Sequence, residues 1–233
     1  MGGVTAADAP IGILMLETGF PRVAGDVGNA ATWPFPVVMR TVRDASAERV
    51  VQRRAAGLLD RFIEAGQALV REGAVGITTT CGFLSLLQRD LAAALPVPVA
   101  ASCLAQIGAI EALLPPRRCV GVITIDAGAL TPAHLAAAGA RADVPVVGTE
   151  AGGELTRVVM GDEPTLDVAA ATRDVLAAGE RLVRAHPRVG AIVLECANMP
   201  PYAAALARHL SLPVYDFYSF VTWFRAGLRP RAF

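Results

Sequence analysis

Three features of this 233-residue sequence predict an α/β protein built on parallel sheets. Short apolar runs alternate with longer segments of helical periodicity along the whole chain, an order typical of β-α-β units. Hydrophobic residues make up 54% and charged residues 18% of the chain, which supplies a full core and argues against disorder. The third feature is an internal repeat, in which the two halves of the chain share residue types and spacing.

The apolar runs are short and are bounded by turn residues, as expected for strands that are buried on both faces. They predict strands at 11–16, 74–79, 97–100, 119–125, 144–147, 191–194 and 213–215. Between these runs, apolar residues recur at the spacing of an amphipathic helix. They predict helices at 46–71, 83–94, 104–114, 132–139, 166–185, 201–209 and 220–227.

The repeat is clearest around two cysteines. When Cys81 is aligned with Cys196, Pro98 falls on Pro213, since each proline lies 17 residues after its cysteine (98 − 81 and 213 − 196). Valine follows both prolines. Loose self-similarity is common in α/β proteins, but two equal spacings favour an internal duplication. We therefore predict two pseudo-symmetric, flavodoxin-like halves with parallel sheets and with the active-site cleft between them.

The duplication also predicts where the chain divides. Residues 1–101 would form the first half, which contains Cys81 and is completed by the C-terminal helix 217–233. Residues 102–216 would form the second half, which contains Cys196. Because ligands bind beyond the carboxyl ends of parallel strands, the turns that follow the strands are where chemistry is expected.

Composition argues against several classes of function. The basic residues are all arginine, so the chain has no lysine for an internal Schiff base or a phosphate-binding P-loop. The formal net charge is +0 and the arginines are scattered, which gives no electrostatic footprint for nucleic acid. No stretch approaches about 20 apolar residues, so no membrane span is expected. The amino terminus lacks the basic region of a secretory signal, and we expect a cytoplasmic protein with reduced thiols.

Two of the four cysteines occupy turns between a predicted strand and a predicted helix. These are Cys81 in the first half and Cys196 in the second. Unpaired amides and the helix dipole at such turns favour a thiolate or a bound carboxylate. Cys103 and Cys119 lie among apolar residues and are expected to be small core hydrophobes. A zinc site would need further ligands at these turns, and the expected compartment disfavours a disulfide.

The two turns, GITTTCGF around Cys81 and IVLECANMPPY around Cys196, resemble those of the Asp/Glu/hydantoin racemase superfamily. The resemblance extends over nearly the whole chain and implies a racemase or isomerase that needs no organic cofactor and no metal. One thiolate would remove the proton alpha to the carboxylate or carbonyl of an amino acid, a hydantoin or a related substrate. The opposite thiol would return a proton to the other face. Homodimers are common in the superfamily, so a homodimer is expected.

The planar intermediate of such a reaction needs hydrogen-bond donors aimed at its oxygens. In the first turn the candidate substrate-binding groups are Thr79, Thr80 and the amide of Gly82. In the second turn they are Asn198 and the amide of Ala197. Strand propensity and helix capping are the plain alternative for the threonines.

Acidic residues end two strands that align in the repeat. Glu17 closes the segment 11–17 and Asp126 closes the segment 120–126. Both are expected to point toward the cleft, and the resemblance implies that Glu17 assists proton transfer. A solvated charge or a helix cap is the alternative for each. Glu195 precedes Cys196 directly and is expected on the opposite side of the strand, so its role stays open.

The turns also depart from those of glutamate racemases, which have Asn-Thr after the first cysteine and Thr-His after the second. This chain has Gly82-Phe83 and Ala197-Asn198 instead. Phe83 suggests a more apolar pocket, which fits a hydantoin, a substituted malonate or a larger carboxylate better than glutamate or aspartate. A maleate-type cis-trans isomerase, a malonate decarboxylase and a non-catalytic small-molecule binding protein are the alternatives.

The segment 17–40 has no periodicity and exceeds an ordinary connection, which favours a lid or a binding loop. It leaves the first strand at the carboxyl end, where the cleft is expected. Arg22 or Arg40 would pair with a substrate carboxylate. Trp33 would either close over the substrate or anchor the loop to the core.

Overall fold

The computed structural model describes residues 9–150 and 152–231, and these form two four-stranded parallel sheets. The first sheet contains β1 (Ile11–Leu16), β2 (Val37–Val42), β3 (Ile77–Thr79) and β4 (Val99–Ala100), in the order β2-β1-β3-β4. The second contains β5 (Cys119–Thr124), β6 (Val146–Gly148), β7 (Val189–Leu194) and β8 (Val214–Tyr215), in the order β6-β5-β7-β8. The matching orders confirm the predicted α/β fold with two equivalent halves.

Helices connect the strands, as parallel pairing requires. The α-helices of the described residues are α1 (Ala47–Val51), α2 (Leu59–Arg71), α3 (Gln88–Ala94), α4 (Ile107–Leu113), α5 (Pro132–Ala137), α6 (Glu154–Gly161), α7 (Val168–Ala185), α8 (Pro200–Leu210) and α9 (Phe217–Leu228). Short 3₁₀ helices cover Ala30–Thr32, Gly82–Leu87 and Cys103–Gln106. None of the helices in 9–150 and 152–231 combines the length and apolar character that a membrane span requires.

The two halves pack a helix onto the sheet at equivalent glycines. A Cβ on Gly12 of β1 would lie 3.1 Å from Leu69 of α2, and a Cβ on Gly121 of β5 would lie 2.8 Å from Leu182 of α7. Both distances are too short for ordinary contacts, so the absence of a side chain lets each helix approach its central strand closely. Each glycine is the second residue of its segment when 11–17 is aligned with 120–126.

The last helix, α9, follows the second sheet along the chain but reaches the first. A Cβ on Gly76, the residue before β3, would lie 2.9 Å from Phe224 of α9, so the aromatic ring covers this position. The indole of Trp33 also stacks on Tyr218 of α9 with ring centroids 5.6 Å apart. The C-terminal helix therefore contacts elements of the first half, while the division of the chain at 101 and 216 stays a prediction.

Two stretches differ from the sequence-based prediction. The helix predicted at 46–71 is broken into α1 and α2, because Arg54, Ala55 and Gly57 adopt positive φ angles of 53°, 53° and 72° that no α-helix accommodates. The predicted loop 17–40 ends earlier, since β2 pairs with β1 along its whole length. A proline-rich run before β2 and its half-exposed surface hide the strand in the sequence.

The remaining differences are local. Helix α6 was not predicted, and its N-cap is Gly153, the second residue of the diglycine at 152–153. The helices predicted at 83–94 and 104–114 begin as 3₁₀ turns before they become α3 and α4. These tight first turns matter for the site, because one of them follows Cys81 directly.

Candidate active site

Both cysteines of the repeat lie at one small cavity between the two sheets. Cys81 follows β3 and precedes the 3₁₀ helix Gly82–Leu87, whereas Cys196 follows β7 and precedes α8. Their exposed fractions are 8% and 7%, so both thiols are buried. The cavity has a volume of about 20 Å³ and is also lined by Leu16, Thr18, Phe20, Arg22, Ala47, Val51, Thr80, Phe83, Ile125, Val159, Glu195 and Asn198.

The Cys81 turn presents backbone donors to the thiol. Cys81 is the N-cap residue of the 3₁₀ helix, its carbonyl oxygen accepts the amide of Leu84 at 3.1 Å, and the amides of Phe83 and Leu84 lie close enough to the thiol to lower its pKa. Burial raises the pKa of the Cys81 thiol and the nearby Glu195 raises it further, whereas these amides and Arg22 act in the opposite direction. Helix N-termini favour thiolates for the same reason. The first turn therefore offers two backbone donors to an anionic sulfur, and the second offers one, the amide of Asn198.

The threonines before Cys81 mainly hold the turn. The Thr79 hydroxyl accepts the amide of Cys81 at 3.2 Å and donates to the Ala101 carbonyl at 2.7 Å. Thr80 lines the cavity, and its hydroxyl accepts the amide of Leu16 at 3.0 Å. Of the threonines proposed as substrate ligands, Thr80 therefore reaches the cavity and Thr79 lies behind it.

The Cys196 turn is joined to the loop that follows β1. The Cys196 thiol donates to Asn198 Oδ1 at 3.3 Å, and Asn198 Nδ2 donates to Asp26 Oδ2 at 2.5 Å. Arg22 donates to the other carboxylate oxygen of Asp26 at 2.9 Å. A backbone bond of 3.2 Å from Val27 N to Ala197 O adds to this connection. Asn198 and the amide turn at Ala197 are thus placed by the loop as well as by α8.

Glu195 lies in the cavity wall, and the expectation that it faces the opposite side is wrong. Strand β7 ends at Leu194, so the alternation of the strand does not extend to Glu195. Its side chain is fully buried, and burial raises its pKa to about 7 against the lowering effect of a 2.7 Å bond from Thr124. Within the described residues its Oε1 has no hydrogen-bond partner. Such a carboxyl group can hold or release a proton near neutral pH.

The Gly82 position explains how Glu195 fits between the turns. A Cβ on Gly82 would overlap the Glu195 side chain and would lie 2.7 Å from the Glu195 carbonyl oxygen. The two halves therefore approach each other closely at Gly82, where a side chain would not fit. The equivalent residue in the second turn, Ala197, is fully buried. Phe83 lines the cavity, and its ring lies nearly perpendicular to that of His134, with the ring centroids 5.2 Å apart.

The two strand-end acids lie outside the cavity. Exposed Glu17 accepts the amide of Asp44 at 2.7 Å, and Asp126 accepts the amide of Ala129 at 3.1 Å. Each carboxylate thus caps a turn and lies beside a separate surface groove. Neither Glu17 nor Asp126 lines the cavity that contains the cysteines. Both make the turn-capping contacts that were the alternative expectation.

The other cysteines lie in the core. The Cys103 thiol is fully buried and donates to the Leu194 carbonyl at 3.3 Å, and burial raises its pKa strongly. Cys119 opens β5 and is 8% exposed. The thiols of both, like those of Cys81 and Cys196, are free. In the part of the chain that the structure describes, no group of three or more metal-binding side chains is clustered.

The loop contributes one cation to the cavity. Arg22 lines it, donates to Thr18 at 2.9 Å and lies over the Phe20 ring at 4.7 Å. Arg40 instead lies in β2 and pairs with Glu72 at the surface. The Trp33 indole donates to Val27 O at 3.1 Å and is 7% exposed, so it anchors the loop.

Sequence reasoning missed Asp26 and the contact of Glu195 with the cavity. Asp26 stands between glycines in a loop that leaves the first strand at its carboxyl end. Its burial at 2% exposure and its bond to the second half depend on the folded loop, which no local pattern predicts. The sequence shows that Glu195 precedes Cys196, but it does not show which way the Glu195 side chain points.

Comparison with known proteins gives both sequence relatives and structural neighbours. No family model matches the sequence. The chain is 29% identical over 225 residues to dimethylsulfoniopropionate lyase 5 of Emiliania huxleyi, which covers 90% of the chain but only 44% of that lyase. It is 26% identical over 216 residues to a dimethylsulfoniopropionate lyase of Durusdinium sp. clade D, covering 89% of the chain and 71% of the lyase. The chain thus spans less than half of the first of these relatives.

The fold matches solved structures over almost the whole chain. Arylmalonate decarboxylase superposes with a TM-score of 0.61 at 16% identity, covering 95% of this chain and 94% of that one. Glutamate racemase from Francisella tularensis superposes with a TM-score of 0.53 at 14% identity, covering 97% of this chain and 85% of that one. The chain therefore shares the fold of arylmalonate decarboxylase and of glutamate racemase, in agreement with the fold that the resemblance of its cysteine turns implied. The relatives and neighbours named here are all enzymes.

Proposed function

We propose that the protein is a cofactor-independent enzyme that removes a proton from the carbon alpha to a carboxylate, with Cys81 and Cys196 as its proton-transfer groups. The observation that carries the proposal is that two buried thiols from equivalent turns line one cavity. A general base or acid must lie within reach of the carbon on which it acts. Thiols from two facing halves approach a bound carbon from two sides.

The substrate carboxylate would pair with Arg22. A guanidinium carries five N–H donors, and the bonds to Asp26 and Thr18 use only part of this capacity. The side chain of Arg22 is 11% exposed, so a carboxylate beside it would be largely shielded from water. Charge-assisted hydrogen bonds of this kind fix the orientation of a carboxylate.

The charge that develops when the proton leaves would be stabilised by fixed donors. Thr80 lines the cavity with a hydroxyl that accepts from Leu16 and keeps its own proton for donation. The amide of Gly82 opens the adjoining 3₁₀ turn. Preorganised donors of this type stabilise an enolate-like intermediate at little reorganisation cost.

Substrate access requires a movement of the loop 17–36. The cavity of about 20 Å³ holds roughly one water molecule, which is far less than a carboxylic acid occupies. Thr18, Phe20 and Arg22 form one wall of the cavity and all belong to this loop. We therefore expect the loop to open for the substrate and to close over it, which excludes water during proton transfer.

The reaction that the sequence relatives favour is elimination. Dimethylsulfoniopropionate carries a carboxylate, protons on the alpha carbon and a sulfonium leaving group on the beta carbon. Removal of the alpha proton by a thiolate would leave an electron pair that forms the carbon–carbon double bond. The carbon–sulfur bond breaks with its electron pair on sulfur, which releases neutral dimethyl sulfide and acrylate. The abstracted proton remains on the thiol and is later lost to solvent.

The cavity offers partners for a cationic sulfonium. Glu195 carries a buried carboxyl oxygen that has no partner among the described residues. Phe20 and Phe83 line the same cavity, and aromatic faces attract organic cations. These groups support a substrate with an anionic end near Arg22 and a cationic end near Glu195.

A second candidate is racemisation, isomerisation or decarboxylation of a carboxylate or hydantoin. It is favoured by the shared fold with arylmalonate decarboxylase and glutamate racemase. It needs the thiol opposite the base to protonate the carbanion, and the second cavity cysteine occupies a suitable turn. Racemisation shares its first step with elimination and differs in the fate of the electron pair, whereas in decarboxylation the electron pair comes from the bond to the departing carbon dioxide.

The experiment that separates them follows substrates by NMR in deuterium oxide. The purified protein would be incubated with dimethylsulfoniopropionate, and separately with arylmalonates, hydantoins, maleate and amino acids. We expect acrylate and dimethyl sulfide from the first, and neither from the Cys81→Ala variant. Deuterium at the alpha carbon of another substrate, without elimination, would support the second candidate. Tight ligand binding without exchange or product would contradict both and would support a binding protein.

A further inference from the structure

A line of four side chains leads from the loop after β1 to the thiol of Cys196. Arg22 donates to Asp26 at 2.9 Å, Asn198 donates to Asp26 at 2.5 Å, and Cys196 donates to Asn198 at 3.3 Å. Asp26 is 2% exposed and Asn198 is 8% exposed, so water hardly competes for these contacts. The amide of Gly28 also donates to Asp26, at 2.7 Å.

The direction of each hydrogen bond in this line is fixed by chemistry. A guanidinium can only donate, so Asp26 accepts from Arg22. A carboxylate can only accept, so the side-chain nitrogen of Asn198 must face Asp26. The amide oxygen of Asn198 then faces Cys196. A sulfur next to this acceptor is stabilised as the donor thiol and destabilised as the thiolate.

The two sulfurs differ in their side-chain neighbours rather than in having backbone donors. The amides of Phe83 and Leu84 lower the pKa of Cys81, and the amide of Asn198 lowers that of Cys196. In the described residues no side-chain acceptor holds the Cys81 thiol as Asn198 holds Cys196. Equivalent turns of the two halves thus favour different protonation states.

We propose that Asp26 is a positioning residue that, through Asn198, keeps Cys196 protonated, so that Cys81 is the base and Cys196 the proton donor. The assignment rests on the proposed function. The Cys81 thiolate takes the alpha proton, and the electron pair stays on the substrate carbon. In racemisation, Cys196 gives its proton to that carbon and becomes the thiolate; in decarboxylation, the bond to the departing carbon dioxide supplies the electron pair instead, and Cys196 protonates the carbon. In elimination, the electron pair expels the leaving group and Cys196 keeps its proton.

The charges around the cavity agree with this assignment. Burial raises the pKa of both thiols, and Glu195 raises it further in each case. The Arg22–Asp26 pair then acts unequally, because Arg22 lowers the pKa of Cys81 whereas Asp26 raises that of Cys196. The two thiols also interact through their charges, so ionisation of Cys81 raises the pKa of Cys196.

The test is site-specific titration of the four cysteines by NMR. The whole chain would be labelled with ¹³C at the cysteine β-carbons, whose chemical shift reports thiol or thiolate. Single Cys→Ser variants would assign the four resonances. We expect Cys81 to titrate at lower pH than Cys196. The reverse order in the folded wild-type protein would overturn the assignment.

The Asp26→Asn variant tests the positioning role. The new carboxamide would offer either an oxygen or an NH₂ group, so Asn198 could turn and donate to the Cys196 thiolate. We expect the Cys196 midpoint to fall by about one pH unit or more. Because the lost negative charge acts in the same direction, the substitution is repeated in the Asn198→Ala background. If Asp26→Asn shifted the Cys196 midpoint equally in the wild-type and Asn198→Ala backgrounds, the shift would come from the lost charge alone, and the positioning role would be overturned.

A matched control uses the other aspartate that anchors this loop. Asp162 accepts the amides of Gly19 and Phe20 at 2.6 and 3.0 Å, and it does not contact Asn198. Its φ angle of 53° suits asparagine, so Asp162→Asn keeps the backbone shape. We expect the Cys196 midpoint to stay unchanged in this variant. A fall as large as in Asp26→Asn would assign the effect to loosening of the loop and would contradict the positioning role.

If Asp26→Asn does not fold, the Asn198→Ala variant tests the same contact by itself. It removes the side-chain acceptor and keeps the backbone amide, so the Cys196 midpoint should again fall, and an unchanged or raised midpoint would contradict the inference. These titrations need no substrate. The expected order of midpoints in a protein that turns over none of the candidates would refute the proposed function alone. The reverse order in an active enzyme would refute the assignment alone.

Discussion

The turns at Cys81 and Cys196 occupy the same place in two sheets of identical strand order, yet their surroundings differ. Cys81 faces the amides of a 3₁₀ helix, whereas Cys196 faces the oxygen of Asn198. The first turn presents Gly82 to its partner half, and the second presents the buried carboxyl group of Glu195. The duplicated fold thus supplies two thiols at one cavity, while the loops and neighbours give them unequal chemistry.

The largest difference between the two turns is expected in kcat when one thiol is removed at a time. We expect Cys81→Ser to lower kcat for elimination by about a thousandfold, because the base is removed. Cys196→Ser should lower it by about tenfold, since elimination does not require its proton. Steady-state assays of acrylate release would measure both.

The matched control for these variants is Cys119→Ser, which lies on β5 outside the cavity lining. Its kcat should stay within about twofold of the wild-type value if it remains folded. A larger loss of kcat in Cys196→Ser than in Cys81→Ser would reverse the assigned roles.

A second effect concerns the pH dependence of stability. Burial raises the pKa of Glu195 from 4.5 to about 7, so the folded protein holds this proton after the unfolded chain has lost it. The free energy of unfolding should therefore fall as pH rises from about 4.5 to 7, by about 3 kcal/mol from this group. Urea unfolding across this range would show the slope, and Glu195→Gln should remove it.

Exposed Glu17 provides the comparison for that measurement. Its carboxylate ends the equivalent strand of the first half and caps a turn at the surface. Glu17→Gln should therefore leave the slope between pH 4.5 and 7 in place. If Glu195→Gln retained the wild-type slope, Glu195 would not be the group that titrates there.

A smaller effect is expected from the contact between the turns. Gly82→Ala would bring a methyl group to 2.7 Å from the Glu195 carbonyl oxygen, which cannot move without shifting the second half. Overpacking of this kind costs about 1–3 kcal/mol, measurable as a lower urea midpoint. Gly108→Ala in α4 is the control, since a Cβ there meets no atom within 4 Å. It should be neutral or slightly stabilising, and an equal loss in both variants would contradict the steric account.

The fold was largely predictable because its signals are local. Apolar runs such as β5 and β7 are buried along almost their whole length, so their composition alone indicates central strands. The edge strand β2 was missed, since its residues are half-exposed and its pairing with β1 is a long-range contact. The break between α1 and α2 depends on positive φ angles at Arg54 and Ala55, which their side chains do not signal.

The site was predictable only in part. The equal spacings in the repeat correctly predicted that Cys81 and Cys196 lie at one cavity, because a duplicated topology places equivalent turns at one cleft. The predicted substrate-binding set is divided, as Thr80, Phe83 and Asn198 line the cavity whereas Glu17 and Asp126 lie elsewhere. Side chains at strand ends turn with the local backbone, which periodicity does not describe. Asp26 reaches the site through a loop whose path no sequence pattern gives.

The most direct test of the central claim is alpha-proton exchange in deuterium oxide by the Cys81→Ala/Cys196→Ala double variant, on a substrate that the wild-type protein turns over. Without either thiol, no group is left to take the proton by the proposed route. We expect deuterium incorporation and product formation to vanish while circular dichroism shows an intact fold. Exchange or product at the wild-type rate in the double variant would contradict two-thiol proton transfer.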